Sequence, residues 1–206
     1  MGPTRRITLP AFVPAALAQA QQVHDTLHYH GLHMTDASNL APAPDGVARD
    51  VRALRAALGQ FATGVTVVTT RSADGAFVGL TANSFGALSL DPPLISWALR
   101  RNSASLPVFL ASPRFVVNVL TDAQVDISRL FASSTPDKFV QVAHAENQDG
   151  MPYLHGAAAW FECHLVSHQD AGDHCLFIAE VERYKHGDDA PLLFHSGAYF
   201  ARGSRL

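Results

Sequence analysis

Three neutral hydrogen-bonding side chains, Thr81, Asn83 and Ser84, stand together between two apolar runs in Gly79-Leu-Thr-Ala-Asn-Ser-Phe85. At a bend between strands, such groups offer donors and acceptors to a flat ligand with a polar edge. The alternative is an ST- or Asx-turn that satisfies its own backbone. Ser103 and Ser105 precede Leu106-Pro-Val-Phe-Leu110, where a helix start would present backbone N–H groups and hydroxyls to a phosphate. Arg100, Arg101 and Lys138 are cations suited to the same anion. Otherwise Ser105 is an ordinary cap and the arginines are solvated. Gly172-Asp-His174 ends a hairpin turn, so His174 can face a groove as hydrogen-bond donor or proton carrier, or be a plain surface histidine. Asp173 either orients that ring or steadies the turn. Tyr199, in Gly197-Ala-Tyr-Phe200, offers a face on which a planar ring would stack, or belongs to the core.

The elements that must position these residues are mostly strands. Thr63 to Val119 reads as strand, turn, polar elbow, the double proline of Asp91-Pro-Pro-Leu94, strand, helix cap and strand. Strands are predicted at Val65 to Thr70, Phe77 to Ala82, Leu94 to Leu99 and Phe115 to Leu120. Others follow at Ala157 to Ser167, Cys175 to Tyr184, Leu192 to Phe194 and Ala198 to Ala201. Asp-Gly within Ser72-Ala-Asp-Gly75 marks a hairpin, and a polar turn over Gln169 to Asp173 joins the two longest strands. The clearest helix is Val47 to Phe61. There Val47, Val51, Leu54, Leu58 and Phe61 recur at steps of four and three, Asp45 stands as cap, and Gly59 or Gly64 marks the exit. This helix is expected to cover one end of the sheet. Short helices are expected from Asp122 to Phe131, and after a Thr135-Pro136 cap ahead of Lys138 and Phe139. Many strands with tight turns indicate a mainly β, closed or nearly closed antiparallel barrel. No GxGxxG follows the first strand and there is no P-loop, so a nucleotide would lie in a barrel groove.

With 206 residues and 48% hydrophobic content, the chain suits one sizeable core domain, 47–206, with an N-terminal extension, 1–46. A net charge of −3 without a basic run excludes a strong nucleic-acid field. No apolar run reaches membrane-spanning length. Cys163 and Cys175 form no CxxC, which points to a reducing, cytoplasmic setting and no zinc site. The extension is rich in proline and alanine. Arg5-Arg6, the apolar Ile7 to Ala18 and Ala18-Gln-Ala20 outline a secretory signal, but Pro10 and Pro14 interrupt its core. An arm packing on a partner subunit is the expectation here. His24 and His28 have the spacing of metal ligands on one helix face; His30 and His33 follow, no Cys or Glu completes a set, and all four are read as solvated.

Taken together, these segments resemble the short-chain flavin reductase family, the reductase half of two-component flavin-dependent monooxygenases. The resemblance runs from about Val51 to Arg202. It rests on Phe61-Ala-Thr-Gly-Val-Thr-Val-Val-Thr69, the Gly79–Phe85 elbow, Leu90-Asp-Pro-Pro-Leu94, Phe115-Val-Val-Asn-Val-Leu120, Asp137-Lys-Phe139, Gly172-Asp-His174 and Gly197-Ala-Tyr199. It implies a split β-barrel with a few short helices, a homodimer, FMN or FAD as flavin, and NADH or NADPH as hydride donor. It also implies Thr81, Ala82, Asn83 and Ser84 on the isoalloxazine and ribityl side, Ser103, Ser105 and Lys138 on the phosphate side, His174 beside the nicotinamide, and Tyr199 near the stacked rings. Where the family often has threonine or asparagine in the serine segment, this chain has Ala104. The expected activity is NAD(P)H:flavin oxidoreduction that supplies reduced flavin to a partner monooxygenase. The alternatives are a flavoprotein with tightly bound FMN that reduces a small organic molecule directly, and a non-catalytic flavin-binding protein. Arg100, Arg101 and Arg202 are equal candidates for a 2′-phosphate.

Overall fold

The computed structural model describes residues 50–204, so the N-terminal histidines, the Arg5-Arg6 stretch and the expected cap at Asp45 lie outside the described residues. In chain order the strands are β1 (Thr63–Gly64), β2 (Thr66–Arg71), β3 (Phe77–Ala82), β4 (Gly86–Leu90), β5 (Pro93–Arg100) and β6 (Arg114–Val119). The remainder are β7 (His144–Glu146), β8 (Pro152–Leu154), β9 (Ala159–Ala171), β10 (His174–His186), β11 (Leu193–His195) and β12 (Ala198–Phe200). Among the described residues the α-helices are α1 (Val51–Leu58), α2 (Leu106–Ala111) and α3 (Val125–Ala132).

Seven strands form one antiparallel sheet in the order β3-β2-β6-β9-β10-β5-β4. Its two edge strands, β3 and β4, are consecutive in the chain and joined only by residues 83–85. Three residues span roughly 10 Å at most, so the sheet has to roll until its edges meet at this elbow. Ser84 closes the seam. Its hydroxyl donates to the Ala98 carbonyl (3.0 Å) and accepts from the Ala98 N–H (2.9 Å), so a side chain stands in for ladder pairing with β5. The result is the expected split barrel.

Strand β2 is buried along nearly its whole length, and its side chains feed two cores. Val68 joins Phe109, Phe115 and Trp97, whose ring stacks on Phe177 at 4.6 Å. Val67 joins Leu120, Phe131, Phe139 and Leu154 on the other side. The fully buried Asn118 braces that side. Its amide donates to the Val67 carbonyl (3.0 Å) and the Thr69 hydroxyl (3.1 Å), and its oxygen accepts from Leu154 N–H (2.8 Å).

Several expectations are corrected. Helix α1 begins after Asp50, whose carboxylate caps the N–H groups of Arg52 (2.8 Å) and Ala53 (3.2 Å), and it ends at Gly59. It buries none of its residues, so it does not cover the sheet. It is tied to the β11–β12 hairpin at its C-terminal end, where Ser196 N–H meets the Gly59 carbonyl at 3.0 Å. The polar run Gln169 to Ala171 is strand, because a two-residue turn with Gly172 at φ +64° suffices to reverse the chain. Asp122 does not start its helix. Thr121 and Gln124 form a capping box around a 3₁₀ turn that leads into α3. The 3₁₀ turn Lys138–Gln141 is entered through Asp137 in the left-handed region, not through a Thr135 cap. Strands β4, β7 and β8 had no periodic signature of their own in the sequence.

Candidate functional site

The elbow opens a cleft of about 530 Å³ at the seam of the barrel. Thr81, Ala82, Asn83 and Ser84 line one side, Ala98, Leu99 and Arg100 of β5 another, and Ser103 and Asn102 the rim. His174 reaches it because His174 and Arg100 are direct partners in the β10–β5 ladder. Phe131 and Ala132, at the end of α3, complete the apolar wall. Six of the nine residues singled out in the sequence therefore share one cavity, whose volume falls in the roughly 300–1,000 Å³ range of small-molecule sites.

The elbow's hydroxyls are already committed. Thr81 donates to the Ser128 carbonyl on α3 at 2.7 Å, and Ser84 spends its proton on Ala98. Neither makes the local self-satisfying turn that its composition allowed. They lock the elbow to α3 and to β5. Toward a ligand their hydroxyls retain acceptor capacity, and the Asn83 amide is the side-chain donor at the bend.

His174 Nδ1 lies 2.7 Å from Asp173 Oδ1. That hydrogen bond is the main reason the Asp173 carboxyl is held below its ordinary value, so a carboxylate orients the ring and leaves Nε2 to act elsewhere.

Ser105 and Lys138 line a separate pocket of about 320 Å³ beside the first half of β3, with Gly79, Thr135 and Asp137. Ser105 occupies the helix-cap position of α2 but makes no side-chain capping bond. Lys138 Nζ donates to the Phe131 carbonyl at 3.0 Å, at the end of α3 where a helix favours a cation, and burial pulls its pKa down. Phe131 thus stands between the two pockets: the residue borders the first, while its carbonyl anchors the lysine of the second and its ring lies 5.8 Å from that ammonium.

Tyr199 lines neither pocket. Its hydroxyl is 2.8 Å from Ser128 Oγ, its ring packs edge-on against Phe194, and the Arg129 guanidinium lies 5.8 Å from the ring centroid. It stands one residue behind Thr81, through Ser128. Sequence reading missed Ser128 and Phe131, which carry no motif and gain their roles only because α3 packs on β3.

A rolled antiparallel sheet whose seam holds a polar-edged cleft defines a class: a split barrel with an open cleft at its rim. Residues 58–203 match the family described as the flavin reductase like domain, and the chain belongs to that family. It is 41% identical over 150 residues to the reductase component of a flavin-dependent trigonelline monooxygenase from Acinetobacter baylyi, covering 73% of this chain and 48% of that protein. It is 41% identical over 154 residues to an FMN reductase (NADH) from Agrobacterium fabrum, covering 75% of this chain and 87% of that one. The solved structure of an NADH:FAD oxidoreductase from Streptomyces globisporus, in complex with NAD and FAD fragments, superposes with a TM-score of 0.72 at 34% identity, covering 77% of this chain and 96% of that one. The chain spans about half the length of the first of these relatives.

Proposed function

We propose that the protein is an NAD(P)H:flavin oxidoreductase that reduces FMN or FAD by hydride transfer and releases the reduced flavin to a separate monooxygenase component. One observation carries the reading: the Thr81–Ser84 elbow and His174, far apart in the chain, line the same cleft. The relatives named flavin reductases support it.

The cleft fits the ring system in kind. Leu99, Phe131 and Ala132 supply apolar walls, and polar groups gather along one edge at 81–84. In the proposed arrangement, Thr81, Ala82, Asn83 and Ser84 hold the ring edge, Ser103 faces the ribityl chain, and Ser105 with Lys138 takes a phosphate on the far side of Phe131. Tyr199 supports the elbow through Ser128. A bound flavin supplies the two-electron acceptor. The chain's task is to hold two flat rings in contact, at roughly 3–3.5 Å between reacting atoms, and little acid–base machinery is required. The Asn83 amide and the backbone N–H groups beyond the ladder's end at Ala82 are the donors that meet negative charge developing at the ring edge. His174, held by Asp173, positions the nicotinamide.

The reading includes a homodimer, supported by the exposed apolar face of α1, where Val51 is 58% and Leu58 65% exposed, and by Phe61 just beyond the helix at 79%. It also includes a cytoplasmic site of action, supported by two free, buried cysteines; among the described residues no helix is long and apolar enough to cross a membrane. Steady-state oxidation of NADH and NADPH, with FMN, FAD and riboflavin in turn, tests the proposal. Oxidation that needs added flavin, by protein that dialyses colourless, is expected. No flavin-dependent oxidation in any combination overturns it.

A further inference from the structure

The cleft continues past His174 into a lobe of about 330 Å³ lined by Arg100, Arg101, Asn102, Gly172 and Asp173; Arg100 and Asn102 line both cavities. If the nicotinamide lies beside His174, this lobe is the way out for the rest of the dinucleotide. Its charges are therefore a statement about the donor. Arg101 is engaged by the Asp170 carboxylate at 3.2 Å on the same hairpin end. Asp173 holds His174. Arg100 makes no ion pair among the described residues. The lobe thus holds two arginines, one of them paired with Asp170, and one carboxylate, Asp173. A diphosphate linkage can share Arg100. A 2′-phosphate is a further dianion; it binds well where an arginine fork is unclaimed, and here it meets the Arg101 guanidinium already paired with Asp170 behind it, and the Asp173 carboxylate in the lobe's own lining.

We propose that this lobe receives the adenosine side of the hydride donor and that Asp170, with Asp173, reserves it for NADH over NADPH. The inference rests on the hydride-transfer reading above. Among the three arginines equal in the sequence, it assigns Arg101 as the residue a 2′-phosphate would need and Asp170 as the group that withholds it.

Asp170 is 65% exposed, so its replacement does not threaten folding. Initial rates with NADH and with NADPH at fixed FMN are measured for the native protein, D170N and D170N/R101Q, with calorimetric binding of NAD⁺ and NADP⁺ alongside. The native protein favours NADH in kcat/KM. In D170N the NADH-to-NADPH ratio falls by about two- to fivefold, the scale of one solvent-exposed ion pair. The double variant returns the ratio toward the native value, because the freed guanidinium is gone. Equal use of the two donors by the native protein, or a D170N ratio that does not move, overturns the inference and leaves the reductase reading standing. No oxidation of either donor with any flavin, and no binding of either nucleotide, overturns both.

Discussion

Gly79 is the point at which the barrel and the cleft constrain each other. It has no unusual backbone angle to explain it. A Cβ at this position would lie 2.7 Å from Cε1 and 3.0 Å from Cδ1 of Phe131, and 3.2 Å from Cγ2 of Thr69. Carbon atoms settle at about 3.5–4.0 Å, so Gly79→Ala forces the Phe131 ring back by about 1 Å. That ring has little room. It is 1% exposed and packs edge-on against Phe139 at 5.2 Å. Overpacking of this kind costs about 1–3 kcal/mol. At about 2–4 °C per kcal/mol for a domain of this size, the melting temperature drops by roughly 2–12 °C. Because Phe131 walls the cleft and α3 holds Thr81 through Ser128, the Michaelis constant for flavin rises more than that for NADH. Thermal denaturation and flavin titrations at fixed NADH read both effects. The G79A/F131L pair, with a smaller side chain at 131, recovers part of the loss, as contacting residues couple. A G79A protein that melts within about 1 °C of the native one and keeps its flavin KM would refute the proposed coupling between this glycine, the core and the cleft.

His174→Ala raises the KM for NADH about three- to tenfold, the worth of one hydrogen bond to the donor, and leaves the flavin KM nearly unchanged; an unaltered NADH KM removes His174 from the site. Burial pushes the Cys163 thiol up to about 12 and raises that of Cys175, so a thiol reagent at neutral pH labels neither in the native protein and both after denaturation; rapid native labelling would contradict the packing. Asp173 has a folded-state pKa depressed below its ordinary 3.8, first by the His174 hydrogen bond, so its contribution is complete above that value and fades as pH falls through the lowered one. In pH titrations of NADH affinity, D173N therefore differs from the native protein throughout the neutral range; coincident profiles there would show that Asp173 does not orient the ring. Asn118→Ala leaves Leu154 N–H and the Val67 carbonyl without their buried partner and lowers stability by about 1–3 kcal/mol in denaturant titrations; a neutral variant would remove Asn118 as a brace.

The seam was legible because it is written in local chemistry. A cluster of Thr, Asn and Ser between apolar strands, and a Gly-Asp-His turn between two long ones, each mark a strand end, and the rolled sheet brings strand ends together. The missing parts were those whose meaning is long-range. Nothing near Ser128 shows that its carbonyl holds Thr81 and its hydroxyl meets Tyr199. The α1 stripe reads as a buried face by periodicity alone, because periodicity reports that a face is apolar and not what covers it. Strand β4 lacks alternation because it is an edge, with Leu88 and Leu90 exposed and a register shift between Ala87 and Ser89. As sequence, Lys138 reads as a cation for the phosphate side; in the fold it lines the pocket beside residues 77–79 and not the cleft beside residues 80–82, and spacing along the chain does not say which part of β3 it meets.

The hydroxyls of the elbow carry a last consequence. Read as composition, Thr81 and Ser84 were ligand donors. In the fold both protons go to protein carbonyls, and what they secure is position. An elbow linking two sheet edges through three residues has no ladder to hold it, and would otherwise be the loosest part of the barrel. Ser84 pins it to one edge strand's neighbour and Thr81 to the helix across the cleft. The Asn83 amide and the adjoining backbone then stand in fixed places before any ligand arrives. Stabilisation of developing charge depends on donors that need not reorganise, so the same two bonds that close the barrel prepare the site. In the proposed reaction a product that must leave is served by this arrangement: the elbow is tied at two points and the cleft is open.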